Sequence, residues 1–172
     1  MPWTAPDVDR PDGSLTAGES ELFRGLLDFQ RATLLHKCAG LTGEQMASTP
    51  VPLSNLSLLG LVRHMAKVER IWFRIRFRGE DVPMLYSTPE HKDADFEVLD
   101  PATAEDAYQT LLDEQRIARS AIDGAGMDET FVHPSGDLMS LRMTIGHMIA
   151  EYARHNGHAD MVRQQIDGVT GF

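Results

Sequence analysis

Apolar residues recur at helical spacing in four separate stretches, and that recurrence constrains the fold more than any other feature of the chain. The first stretch runs from Glu19 to Cys38, with Phe23, Leu26, Leu27 and Leu34 on one face and Gly40 as its stop. Pro50 and Pro52 then force a loop. The second helix is predicted from Ser57 to Phe77, on the stripe Leu61, His64, Val68, Ile71 and Ile75, with Gly79 and Pro83 ending it. Residues 80–101 are polar and proline-bearing and read as a long crossover. The third helix begins near Thr103, an N-cap followed by Glu105 and Asp106. Its buried side is Ala104, Ala107, Tyr108, Leu111, Leu112, Ala118 and Ile122, and Gly124 closes it. His133-Pro134-Ser135-Gly136 reads as a turn joining two short strands within Phe131–Met139. The fourth helix spans Ser140 to Asp167, followed by Gly168. Four such helices with one crossover, between the second and the third, predict an all-α four-helix bundle. Residues 15–172 read as its single domain and residues 1–14 as an irregular arm.

Charge narrows the partners. The chain carries 16 Lys+Arg against 26 Asp+Glu, a formal net charge of −10. Nucleic-acid backbones and anionic membrane surfaces both call for a basic face, so neither is an expected partner. A small-molecule substrate is expected instead, and a homodimer remains open. The lone Cys38 excludes a disulfide framework and reads as structural, and the nine methionines read as core filling. No export signal or run of roughly 20 apolar residues is present, so the expected location is the cytoplasm.

Of seven histidines, three fall between residues 147 and 158. The core stripe of the fourth helix is Leu141, Ile145, Met148, Tyr152, His155, Ala159, Val162 and Ile166. His155 therefore lies within it, and Glu151 stands one turn away on the same face. His64 falls in the stripe of the second helix. A buried carboxylate must be protonated, paired with a base or bound to a cation. Pairing with Arg154 or Arg63 is one solution for Glu151. A divalent metal held by His64, Glu151 and His155 is the other, since two imidazoles and a carboxylate form the protein ligands of several catalytic zinc and iron sites. Spacing alone leaves both open. His147 and His158 lie on the same side of the helix, as candidates to hydrogen-bond a ligand or act as acid or base. Trp72 reads as core packing. His36, His91 and His133 acquire no role.

Two segments carry a family resemblance: Glu151-Tyr152-Ala153-Arg154-His155-Asn156-Gly157-His158-Ala159-Asp160, and Leu61 through Phe73 around His64. Together they resemble the DinB-like superfamily, most closely its DUF664 branch, related to the mycothiol-dependent maleylpyruvate isomerase. The resemblance covers nearly the whole chain after the arm. It implies a bundle with a metal in its core, one histidine from the second helix (His64) and two ligands four residues apart from the fourth. The paired ligands are commonly two histidines; here they are Glu151 and His155, as in the maleylpyruvate isomerase branch. It further implies a metal-dependent enzyme activating a low-molecular-weight thiol, of mycothiol or bacillithiol type, for transfer to a small electrophile. Zinc is the expected metal, with nickel, iron or manganese able to accept the same donors. Arg63, Arg70 and Arg154 are weaker candidates for holding an acidic thiol or substrate. A hydrolase using the metal, or a protein that binds metal or a small molecule without turnover, are the competing expectations.

Overall fold

A computed structural model describes residues 2–97 and 99–170; Met1, Val98, Gly171 and Phe172, at the ends of the predicted arm and domain and in the crossover, lie outside the described residues. Its first long helix, α1, spans Glu19–Cys38, with the bounds the periodicity predicts. A single-turn helix α2, Gly43–Ala47, follows behind a capping box built by Thr42 and Gln45. Helix α3 covers Leu58–Glu69, with the Ser57 hydroxyl accepting from the Gly60 backbone N–H. It continues without a break as a π-helix, Arg70–Phe77. The crossover folds into a short helix α4, Ala94–Glu97, and a 3-10 turn, Pro101–Thr103, that leads into α5, Ala104–Ala121. Thr103 makes no capping hydrogen bond; Asp100 instead accepts from Ala102 N–H at the head of the turn. Strands β1, Thr130–Val132, and β2, Leu138–Ser140, form the predicted hairpin, paired antiparallel with Phe131 opposite Met139. Helix α6, Leu141–Asp167, ends at Gly168, whose φ of 79° takes the left-handed conformation that a C-terminal glycine supplies without strain. The architecture is a mostly helical bundle with one small hairpin, in line with the periodicity.

The core is lined by Leu27 and Leu34 of α1, Val62, Met65 and Ala66 of α3, Leu111 and Ala118 of α5, and Leu141, Ile145, Met148 and Val162 of α6. Three expectations need correction. Leu26 is exposed, because Leu27 takes the inward direction on α1. The inward stripe of the second long helix is Val62, Ala66, Glu69 and Phe73, all fully buried, while Ile71 and Ile75 are only partly so. Leu61 and Val68 are also buried, since the crossover covers the other side of α3. Finally, part of the arm is fastened: Thr4 bridges Thr42, Ala5 exchanges backbone hydrogen bonds with Gly40 and Leu41, and Trp3 packs edge-on against Tyr108.

Glu69 explains why its stripe escaped a hydrophobic reading. The Arg31 guanidinium donates to both of its carboxylate oxygens, at 2.7 and 2.6 Å. Tyr152 donates to Oε1 at 2.8 Å, and Gln115 donates to the Tyr152 hydroxyl at 3.1 Å. One buried polar network thus ties α1, α3, α5 and α6 together across the middle of the bundle.

The crossover docks on α3 through Gly60. A Cβ at that position would sit 2.8 Å from the Phe96 ring, so only glycine admits α4 this closely. That approach carries Asp95 onto the flank of α3.

Candidate metal centre

His64 of α3 and Glu151 and His155 of α6 converge at the seam between the two helices. One donor atom from each lies within 4.8 Å of the other two. Two ligands of a single zinc ion stand at most about 4.4 Å apart, so small side-chain movements close this set on an ion. Among the described residues these three could hold a metal. Periodicity offers the same three residues as candidates, and the family resemblance implies them as ligands.

The surrounding groups orient the two imidazoles. His64 Nδ1 lies 2.9 Å from Asp95 Oδ2. A carboxylate only accepts, so the His64 proton sits on Nδ1 and the Nε2 lone pair is left for a cation. Asp95 itself is buried, and burial alone would raise its pKa. The hydrogen bonds from His64 and from Lys67, whose Nζ stands 2.5 Å away, outweigh that and hold it below the usual carboxylate value. His158 Nδ1 lies 3.4 Å from His155 Nδ1, which again leaves Nε2 of His155 facing the site, 3.5 Å from Glu151 Oε2. The other Glu151 oxygen is 3.5 Å from His147 Nε2. Both expected flanking histidines therefore touch a member of the triad.

His155 is poised as a neutral donor. Burial, then the neighbouring His64, His158 and Arg154, push its pKa down to about 4 from 6.5. The unfolded chain takes up that proton as pH falls through about 6.5, whereas the folded chain refuses it until about 4, so stability must decline across this interval. Below it, the depressed Asp95 carboxylate withdraws its own contribution. Urea unfolding of the chelator-treated protein should therefore show lower stability at pH 5 than at pH 7. In His155→Ala the difference should shrink; an equal pH dependence in both proteins would contradict this assignment.

Of the three expected arginines, Arg63 and Arg70 are committed to other groups, and Arg154 lies near enough to His155 to help depress its pKa. Arg63 is buried, donates to the Ala94 carbonyl at 3.0 Å and lies 4.6 Å over the Tyr86 ring, so it supports the crossover. Arg70 pairs with Glu114 at 2.6 Å. Arg154 is exposed, and Glu151 contacts histidines rather than either candidate arginine. Cys38 is fully buried with its thiol directed at the Leu34 carbonyl, which fits a structural role.

Residues that periodicity does not single out complete the site. Asp95 is one. Trp72 is another: its ring is only partly buried and stands 4.3 Å from the His147 ring and 5.9 Å from that of His133, nearly parallel to the latter. Trp72 therefore forms one wall beside the triad, and the hairpin brings His133 over it. The π-helix that carries Trp72 is a structural irregularity often found at functional sites.

No helix among the described residues is long and apolar enough to cross a membrane. No curated protein matches the chain. One similar solved structure is that of the conserved protein of locus from Enterococcus faecalis, with a TM-score of 0.69 and 14% identity over 90% of this chain and 100% of that one. At that identity the likeness concerns the fold alone. A family model described as Mycothiol-S-transferase matches residues 22–168, from α1 to the end of α6 and so across all three triad residues. With a match over most of its length, the chain belongs to the mycothiol S-transferase family, a DinB-like family.

Proposed function

We propose that the chain is a divalent-metal-dependent S-transferase that activates a low-molecular-weight thiol, of mycothiol or bacillithiol type, for transfer to a small electrophile. The observation that carries this reading is the convergence of His64, Glu151 and His155 from two helices, with donors within 4.8 Å, in a chain of this family. A free thiol is only about 3% ionised at pH 7, and a divalent cation held by these residues would supply the Lewis acidity that ionises it.

The chain's own residues do the rest. His64, Glu151 and His155 are the three ligands, with zinc the favoured ion for two imidazoles and a carboxylate. Their single negative charge leaves a dication one unit positive, so the site favours an anionic ligand over a neutral one. Asp95 and His158 hold the two imidazoles with Nε2 turned inward. His147, beside Glu151, is placed to exchange a proton at the rim.

The test is stoichiometric. Metal-loaded protein given mycothiol and a conjugated or halogenated electrophile should consume the two one for one, faster than the uncatalysed reaction. Cleavage of an ester while the thiol stays untouched would favour the hydrolase reading and end this one.

A further inference from the structure

Beside the triad, the π-helix carries three arginines whose surroundings differ. Arg70 and Arg74 are both neutralised by Glu114, at 2.6 and 2.9 Å, and Arg74 by Glu80 as well. Arg76 has no carboxylate within ion-pair distance among the described residues, although acidic groups outnumber basic ones by 26 to 16. Its guanidinium carbon lies 4.0 Å over the Trp72 ring. That ring is in turn 4.3 Å from His147, whose Nε2 is 3.5 Å from Glu151. Partial burial disfavours the charge on Arg76.

A half-buried guanidinium resting on an indole, with its donors uncommitted to any acid, is a preorganised receptor for a planar anion. The stacking face is taken by Trp72, and the edge N–H groups form the fork that matches a carboxylate. His133 and His147 on the same indole add imidazole edges, and Glu151, which borders His147, is turned to His147 and His155.

We propose that Arg76, seated on Trp72 and flanked by His147, forms an anion subsite that selects electrophiles bearing a free carboxylate away from the reacting carbon. This rests on the S-transferase reading for the identity of the ligand as an electrophile, but not for the existence of the subsite. The position fits that use: a carboxylate held at Arg76 leaves the rest of a small molecule to extend past His147 toward the triad, where a metal-bound thiol would stand.

Two measurements separate the subsite from the reaction. The first is calorimetric binding of succinate, with no thiol present, to the purified chain and again after chelator treatment. Arg76→Gln should weaken it by about 10-fold or more, the loss of a charge-assisted hydrogen-bonded pair, and Arg76→Lys should restore part of it. The neutral dimethyl ester of succinate should bind equally to wild type and Arg76→Gln. Equal succinate affinity in wild type and Arg76→Gln, or affinity that vanishes with the metal alone, would overturn the proposal. The second compares kcat/KM for an electrophile with a free carboxylate and for its methyl ester. The wild type should prefer the acid, mainly through KM, and Arg76→Gln should lower that preference about 10-fold. A preference unchanged by Arg76→Gln would refute the subsite. Succinate binding through Arg76 without any thiol consumption would leave the subsite standing and refute the S-transferase reading.

Discussion

Glu69→Ala is expected to destabilise the protein by about 3–5 kcal/mol, because the buried Arg31 guanidinium loses the carboxylate that accepts two of its hydrogen bonds and keeps only the partly exposed Asp28, at 2.9 Å. For a chain of this size that corresponds to a fall in Tm on the order of 10 °C, and it is a large share of a typical folding free energy. Glu69 and Arg31 are 0% and 2% exposed, so water cannot take over the lost hydrogen bonds. Tyr152 loses its acceptor in the same substitution, with Gln115 as its one remaining partner there. The network predicts non-additivity as well. Arg31→Met combined with Glu69→Leu and Tyr152→Phe should cost less than Glu69→Ala alone, because no uncompensated charge then remains in the core. Urea unfolding of the single and triple variants checks both statements. A single variant within about 1 kcal/mol of wild type would mean that the pair is far better solvated than its burial implies.

His155→Ala is expected to abolish thiol transfer, by at least about 100-fold in kcat/KM, while the metal-free protein unfolds much as the wild type does. Partners that only orient a ligand commonly contribute 10–100-fold, so removing a ligand must cost more. The fold should survive because His155 lies at the rim rather than at the centre of the core, with its contacts going to His64, Glu151 and His158. Asp95→Asn provides the graded comparison. It keeps all three ligands but exchanges the acceptor of the His64 Nδ1–H for an amide, and metal affinity should fall by about 10–100-fold. Loss of activity accompanied by loss of helical structure in His155→Ala would instead mark a structural histidine.

The two variants also mark what periodicity can and cannot disclose. α6 keeps one unbroken α-helical phase from Leu141 to Asp167, so angle alone brought His155 to the edge of its inward stripe, although the fully inward residue there is Asn156 and His155 is only partly buried. The second long helix was legible in extent but not in orientation. Its true inward stripe contains Glu69, and a hydrophobic reading rejects a stripe that carries a charge; only the partner Arg31, 38 residues earlier, makes that burial tolerable. His64 nonetheless lies on the side that the crossover covers, where Asp95 reaches it. Asp95 had no local signal at all: it sits on a four-residue helix in a polar connection, and it is delivered by the absence of a side chain at Gly60. The wall around Trp72 was hidden for a similar reason. Its neighbours His133, His147 and Arg76 come from the hairpin, α6 and the π-helix, and only tertiary packing brings them to one indole.

The central claim is that His64, Glu151 and His155 form one divalent-metal site, and calorimetric titration of chelator-treated, untagged protein with Zn²⁺ tests it most directly. The account predicts one saturable site per chain in the wild type, lost in both His64→Ala and His155→Ala although the two residues belong to different helices. Absence of saturable binding in the wild type, or binding that persists unchanged in both variants, would contradict it.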